Sequence, residues 1–532
     1  MFRTDFGKTI FETKYRNAMG GCATWEELCD TLVQRVCGGL MKPGDMSQLA
    51  HYMREMKFIP AGRYLYYAGR EAAFFNNCFS FIARDSREGW ADLGYQHFMA
   101  LMVGGGCGTY YGAIRPEGET ISRTGGFASG PLPLMYAMNE IGRNVQQGGS
   151  RRSALYASLP WDHADIDQFL FSKDWSEEVK DLKAKDFNFP APLDMTNVSV
   201  QYNSEDGICS PILEANVRQA MKTGEPGMQF DLYTEDEVGR NACAEFITDT
   251  DSDLCNLGSL NFSRIKDFTE LVDISCLAAK FLVCGSIRAE LPYAECYTVR
   301  DNHRKIGLGI MGMHEWLMRR GYKYEMNEEL EKWLTGYEWG SERGATYLTQ
   351  TLGVSDCVRY RSIAPAGTIS ILAGTTSGIE PLYAVATKRR FLSGNTWKYE
   401  YTVDPTAEHL LEEGINERDI ETAMDLSTDI ERRVKFQADI QEYVDMGISS
   451  TLNLPEWGTE QNNHDLVEKT TAVVRKYAPQ LRGLTFYPDG SRGGQPLVAV
   501  PYEEAKDKTG RTFEEELEFL TQVSCPSGAC GI

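Results

Sequence analysis

Asn241-Ala242-Cys243-Ala244-Glu245 places a thiol between a carboxamide and a carboxylate at every second position. If the segment is extended, all three side chains point to one face. A thiol flanked by a hydrogen-bonding amide and a potential base is a reactive centre rather than a packing unit. A second cysteine, in Cys255-Asn256-Leu257-Gly258-Ser259, follows twelve residues after Cys243. Near the end of the sequence, Cys525-Pro526-Ser527-Gly528-Ala529-Cys530 sets two thiols among small residues with little to pack against. Such a pair can close a small-loop disulfide, and on a mobile segment it can visit another site. Together these residues predict a catalytic thiol that receives electrons from other thiols.

Three further stretches bear on chemistry. Ser362-Ile363-Ala364-Pro365-Ala366-Gly367-Thr368-Ile369-Ser370 reads as a strand, a turn and a helix start. Backbone N–H groups there, with the Thr368 and Ser370 hydroxyls, make a workable phosphate cradle, although a plain capped turn fits the same residues. The cluster Gly104 to Gly108 lacks the spacing of a dinucleotide fingerprint. Gly307-Leu308-Gly309-Ile310-Met311-Gly312 has that spacing, but no acidic residue at a clear strand end follows about twenty residues on, so a dinucleotide fold is discounted.

The elements that must position these residues alternate. Residues 1 to about 58 carry amphipathic helical runs, and Pro60-Ala61-Gly62 ends them. From 253 to about 400 short apolar strands alternate with helices, which predicts an α/β fold with parallel pairing, possible as a barrel. Residues 172–192 are charged and then Pro-rich, and read as a surface loop. Residues 405–475 are mostly helical, and the stretch after about 508 reads as a mobile tail.

Composition narrows the function classes. The 532 residues are 42% hydrophobic and 24% charged, as in a soluble globular enzyme. A net charge of −22 makes the chain a poor non-specific binder of nucleic acid or anionic membrane. No apolar run approaches bilayer-spanning length and no signal-peptide core begins the sequence, so a cytoplasmic location is expected. Of the 14 cysteines, Cys22, Cys29, Cys37, Cys107, Cys209, Cys276, Cys284, Cys296 and Cys357 are expected to be small buried hydrophobes. No paired Cys-x2-Cys units are present, so no metal site is predicted.

These motifs, taken in order, resemble the catalytic subunit of ribonucleotide reductases, from about residue 57 to the end. Asn241 to Glu245 resembles the family's Asn-x-Cys-x-Glu radical site, Asn77-Cys78 its first reducing cysteine and Cys255 to Asn261 its second. Gln147-Gly148-Gly149-Ser150-Arg151-Arg152 and Trp161 to Ile166 are similar to the stretch after its first effector loop. Gly307 to Gly312 and Ser377-Gly378-Ile379-Glu380-Pro381 match family signatures, Ala364 to Ser370 its substrate phosphate loop, and Cys525 with Cys530 its shuttle pair.

The resemblance implies a ten-stranded α/β barrel of two parallel five-stranded halves with a central finger loop, plus a helical N-terminal region. The boundaries expected are 1–58 for the helical region without an ATP cone, 59–507 for the barrel and 508–532 for the redox tail. It implies reduction of ribonucleoside di- or triphosphates to 2′-deoxyribonucleotides for DNA precursor synthesis. In that chemistry Cys243 is the thiyl site, Glu245 the base and Asn241 the group that orients the ribose. Cys78 and Cys255 supply two electrons, and Cys525 and Cys530 restore them from thioredoxin or glutaredoxin. Substrate contacts fall on Asn77, Gly106, Ala366, Gly367, Thr368 and Ser370. A nucleoside triphosphate effector falls on Asp85, Ser86 and Arg115, and a homodimer is the weakly favoured assembly. Phe486-Tyr487-Pro488-Asp489-Gly490-Ser491-Arg492 stands where enzymes with a separate metal-containing radical subunit carry two adjacent tyrosines. It resembles the adenosylcobalamin-dependent class instead; a separate radical subunit, ending its relay at Tyr487, is the alternative.

Overall fold

The structure is a computed structural model. It describes residues 2–122, 125–145, 153–186, 189–232, 237–393, 396–491 and 497–514, with the backbone alone at Cys78, Ala184, 390–393, Thr396, Trp397, Leu497 and Glu514. Cys525 and Cys530 of the expected shuttle pair, and Gln147 to Arg152, lie outside the described residues.

Among the described residues seventeen strands occur in chain order. The first nine are β1 (Phe58–Pro60), β2 (Cys78–Ile82), β3 (Gly106–Tyr110), β4 (Leu155–Pro160), β5 (Thr196–Tyr202), β6 (Gly227–Phe230), β7 (Gly239–Arg240), β8 (Ile247–Thr248) and β9 (Asp253–Asn261). The rest are β10 (Lys305–Met311), β11 (Arg359–Arg361), β12 (Ala386–Ser393), β13 (Thr396–Val403), β14 (Thr451–Leu454), β15 (Gly483–Pro488), β16 (Leu497–Val500) and β17 (Thr512–Glu514).

One half of the barrel is β2-β3-β4-β5-β6, with every neighbouring pair parallel. The other half holds β9, β10 and β11 in parallel, and β14 parallel to β15. A parallel bridge between Ile363 and Ile448 joins the ends of β11 and β14. Ile363 N donates to Gly447 O at 3.1 Å and Ser449 N to Ile363 O at 2.8 Å. That half is therefore β9-β10-β11-β14-β15. The halves meet antiparallel, β2 against β9 and β6 against β15. The result is the expected ten-stranded barrel of two parallel five-stranded halves, with β1 added antiparallel outside β9.

The sequence explains the layering. All nine residues of β9 and all seven of β10 are buried, as for strands covered on both faces. The crossover helices Phe268–Arg288 and Glu328–Leu352 pack on each other outside these strands. The N-terminal helices cover the same half: Trp25–Cys37 carries a Thr24/Glu27 capping box and packs on Phe268–Arg288.

Two stretches differ from the sequence reading. Residues 172–192 contain a helix, Glu177–Lys185, whose first turn is capped by Ser176 and carries Glu177 and Glu178, with Lys183 and Lys185 in its last turn. The charges thus follow the helix dipole rather than marking a loop. Structured chain also continues past 508: β17 pairs with β13, and Phe513 stacks on Tyr399 with ring centroids 5.4 Å apart. Among the other cysteines Cys22, Cys29, Cys37, Cys107, Cys284, Cys296 and Cys357 are buried as expected, whereas Cys209 is exposed and Cys276 half-buried.

Candidate active site

Between β6 and β9 the chain leaves the barrel wall as a finger, described over residues 231–232 and 237–252, with the short antiparallel pair β7–β8 as its stem. The stem lies against β2 and β3. Contact this close requires glycine in the wall. A Cβ on Gly108 would overlap the Arg240 carbonyl oxygen, and one on Gly106 would sit 2.9 Å from the Ala242 Cβ. On the opposite wall a Cβ on Gly447 would lie 2.7 Å from Ala244 O. The Asn197 amide donates to Ala242 O at 3.4 Å, and the Ser362 hydroxyl to Glu245 O at 3.2 Å. Strands of both halves therefore surround the finger, which sits inside the barrel.

The tip is a turn and not an extended segment. Ala244 has φ +62°, and its N–H donates to Asn241 O at 3.0 Å. A non-glycine residue in the left-handed region costs about 1–2 kcal/mol, which the surrounding contacts must offset. The turn brings Asn241 and Glu245 together: Asn241 Nδ2 donates to Glu245 Oε1 at 2.8 Å, and Asn241 Oδ1 accepts from Phe246 N at 3.0 Å. Both side chains are buried, whereas Cys243 is exposed. A carboxylate oriented by an amide thus stands two residues from an accessible thiol.

Cys255 lies on β9 directly opposite Cys78 on β2, in antiparallel register. Residues so paired have Cα atoms about 4.5–5.5 Å apart, inside the range a disulfide needs. Burial pushes the Cys255 thiol well above its usual range; the Asp253 and Glu245 carboxylates add to this and Lys305 opposes it. Its S–H donates to Asn256 O at 3.2 Å. The strand signature Gly307 to Gly312 serves this sulfur, because a Cβ on Gly307 would lie 3.2 Å from Cys255 Sγ. Cys255 also packs in a small interior cluster with Ala61, Leu257, Met446 and the finger residues Phe246 and Ile247, against which Ala364 rests.

Asn77 and Gly106 are backbone neighbours, Gly106 N donating to Asn77 O at 2.8 Å. The Asn77 side-chain oxygen is buried and has no hydrogen-bond partner among the described residues, so it can accept from a ligand hydroxyl. The Ala364–Ser370 stretch leads from the wall into the helix Gly367–Ala373. No side chain caps that helix, which leaves first-turn amides for an anion. Gly367 is exposed and Thr368 half-buried, while Ala366 and Ser370 are buried. The Ser370 hydroxyl donates to Gly367 O at 3.1 Å, so its part is to hold the turn.

Asp85, Ser86 and Arg115 form a separate group past the carboxyl ends of β2 and β3. Arg115 Nε donates to Asp85 Oδ2 at 2.6 Å, and this bond holds the guanidinium pKa above its usual value. Ser86 accepts from Gly89 N at 2.9 Å and caps the helix Arg87–Met102.

The charges that hold the finger carry no signature in the sequence. Arg240 is ion-paired to Asp231, with both side chains fully buried. Lys305 is ion-paired to Asp253, again with almost no exposure. Each partner reads alone as an ordinary surface charge, and only the fold pairs them.

A ten-stranded α/β barrel with an exposed thiol on an interior finger, and two cysteine positions paired across the seam of its halves, is the architecture of a thiol-based redox enzyme of the α/β-barrel type. The family described as "Ribonucleotide reductase, barrel domain" matches residues 76–192, 202–333 and 353–487. The chain belongs to the ribonucleotide reductase family. It is similar to the vitamin B12-dependent ribonucleoside-diphosphate reductase of Thermoplasma acidophilum, at 26% identity over 95% of this chain and 74% of that protein. It is similar also to the protein of the same description from Mycobacterium tuberculosis, at 26% identity over 85% of this chain and 73% of that protein. A putative adenosylcobalamin-dependent ribonucleoside-triphosphate reductase of Mycobacterium phage D29 is 24% identical over 85% of this chain and 76% of its own length.

Proposed function

We propose that this chain reduces ribonucleotides to 2′-deoxyribonucleotides by thiyl-radical chemistry, with adenosylcobalamin as the radical source. The observation that carries the reading is the finger: Cys243 exposed at its tip, Glu245 held by Asn241, and Cys78 opposite Cys255 in the wall.

The residues divide the reaction. The Cys243 thiyl takes the hydrogen atom from C3′ of the ribose. Glu245 takes the 3′-hydroxyl proton while Asn241 fixes its carboxylate. The 2′-hydroxyl then leaves as water, with a proton from the Cys78–Cys255 dithiol. The second hydrogen of that dithiol goes to C2′, its two electrons complete the reduction as it becomes a disulfide, and Glu245 returns its proton to the 3′-oxygen. Cys243 returns the hydrogen to C3′ and regains its radical. The neutral, buried Cys255 thiol suits a proton donor. Asn77 accepts from a ribose hydroxyl, and the amides of Gly367 and Thr368 receive the phosphates.

The cofactor fits the finger on one structural ground: Cys243 is exposed to an approaching group, while Asn241, Ala242 and Glu245 are buried. Bound adenosylcobalamin supplies a hydrogen-abstracting radical at that thiol. Phe486, buried on β15, has no hydroxyl for a tyrosine relay, which disfavours a separate metal-containing radical subunit. The names of the similar proteins favour cobalamin as well.

The partners follow from the same reading. Cys525 and Cys530 reduce the wall disulfide and are reloaded by thioredoxin or glutaredoxin. Asp85, Ser86 and Arg115 receive a nucleoside triphosphate effector. Tyr95, Phe98 and Met102 expose an apolar face on the helix Arg87–Met102, and Tyr136 does so on the neighbouring helix Leu132–Asn144. A second copy of the chain covers that face in a homodimer. The described residues contain no helix long and apolar enough to cross a membrane, in keeping with a cytoplasmic enzyme.

Anaerobic incubation of the purified chain with CDP or CTP, dithiothreitol and adenosylcobalamin tests the reading. Cobalamin-dependent deoxynucleotide formation is expected, and the better substrate identifies the phosphate state. Turnover only after addition of a metal-containing radical subunit would overturn the cofactor assignment.

A further inference from the structure

The finger is fastened at both arms by charge: the outgoing arm to both halves of the barrel, since Glu237 on it is ion-paired to Arg359 of β11 and to Arg482, and the returning arm to the second half. On the outgoing arm Arg240 pairs with Asp231, which follows β6 of the first half. Asp231 also accepts from Gln201 of β5 at 2.7 Å and from Gln229 of β6 at 2.6 Å. On the returning arm the Thr248 hydroxyl donates to Asp253 of β9 at 2.5 Å. Asp253 is ion-paired to Lys305 of β10, and Lys305 Nζ donates to Thr248 Oγ1 at 3.2 Å. Lys305 Nζ also lies 5.7 Å from the centroid of the Phe246 ring, next to Glu245. The tip, residues 241–246, hangs between the two clamps.

We propose that Lys305, Asp253 and Thr248 are positioning residues for the radical site, and that with Asp231 and Arg240 they fix the finger tip relative to the two walls. The inference rests on the reductase reading of the finger.

The physical case has three parts. A stem of two residues per strand is too short to hold itself. Buried ion pairs are poor sources of stability, since apolar replacements are often neutral or better, so their presence calls for another use. Directional charged bonds instead select one geometry, and a reaction between a thiol, a carboxylate and a ribose needs that selection. The returning clamp is the more direct one, because Thr248, Phe246 and Glu245 lie on one short run that leads to Cys255.

The test uses that clamp, since loss of Asp231 would strand two buried glutamines as well. In Asp253→Asn/Lys305→Met both charges go, and the asparagine retains the acceptor that Leu254 N uses at 2.7 Å. Three quantities are compared with the wild type: thermal midpoint, kcat and KM with CDP or CTP, and hydrogen exchange of the Ala244 and Phe246 amides in the cofactor-free protein. The expected result is a retained midpoint and KM, exchange faster by about tenfold, and kcat lower by about 100-fold. Restoring the lysine in Asp253→Asn alone would not recover the wild-type rate, whereas Lys305→Arg, which keeps the pair, should recover most of it. Unchanged exchange at both amides in a stably folded double variant would overturn the inference, whatever the turnover of the wild type. If the double variant does not fold, Thr248→Val keeps both charges and removes the finger's bonds to Asp253 and Lys305, together with the local one from Thr250 N. Faster exchange with lower kcat then supports the inference, and wild-type values of both overturn it. Absence of wild-type turnover under any radical source would strike the reductase reading instead.

Discussion

Cys78 and Cys255 face each other across two antiparallel strands, although 177 residues separate them in sequence. β2 opens one half of the barrel and β9 the other, so the two cysteine positions meet at the seam between halves. One turnover without an external reductant should therefore leave a Cys78–Cys255 disulfide. Non-reducing peptide mapping after a single-turnover reaction checks this. Cys78→Ser and Cys255→Ser should each abolish deoxynucleotide formation, and recovery of both cysteines as free thiols after product formation would contradict the assignment.

Glu245 gives a cleaner test of base catalysis, because its orientation comes from a neighbour that a glutamine can keep. In Glu245→Gln the side-chain oxygen still accepts from Asn241 Nδ2, now 2.8 Å from Oε1. Folding and KM should be retained, while kcat falls by about 10²–10⁴-fold, the usual worth of a general base. Steady-state kinetics beside a circular dichroism melt separates this from misfolding. A variant with full kcat would remove Glu245 from the proton transfer.

How far the sequence announced this site depends on the range of the interaction. Asn241, Cys243, Glu245 and Cys255 were legible because their chemistry lies in residue type and short spacing. The alternation of apolar strands and helices also announced the parallel α/β architecture. The turn at Ala244 was not legible, since nothing in alanine favours a positive φ and only the packing of the tip imposes it. Lys305 and Asp253 were missed for another reason. Each begins a strand, where a charge is usually solvated, and their pairing depends on parallel register across 52 residues. The helix Glu177–Lys185 was read as loop because its charges outnumber its apolar residues, although their order along the helix favours it.

His97 makes stability depend on pH in a defined direction. It lies on the helix Arg87–Met102, with Nδ1 2.9 Å from Leu93 O and Nε2 3.4 Å from Thr109 Oγ1 of β3. Burial lowers its pKa to about 4. The unfolded chain binds this proton near pH 6.5 and the folded chain does not, so stability is lost as pH falls from about 6.5 toward about 4. The full loss is about 3 kcal/mol, and about 2 kcal/mol of it should appear between pH 7 and pH 5. Urea unfolding at these two pH values should show that much less acid sensitivity in His97→Gln than in the wild type. Equal sensitivity in both would assign the proton elsewhere.

The finger's fit inside the barrel can be tested with one methyl group. A Cβ on Gly108 of β3 would overlap the Arg240 carbonyl oxygen, which is backbone and cannot rotate away. Gly108→Ala must then push the outgoing arm from the wall. Overpacking of this kind costs about 1–3 kcal/mol, and a shift of the tip by about 1 Å is enough for a 100-fold loss of rate. Gly94→Ala is the matched control, because nothing lies within 4 Å of a Cβ there and the residue sits inside the helix Arg87–Met102. That change should raise stability by about 0.5–1 kcal/mol and leave kcat as it was. Thermal melts and steady-state kinetics on the two variants provide the comparison. Wild-type kcat in Gly108→Ala would mean that the finger can shift without cost to the chemistry, and that the wall does not set the position of Cys243.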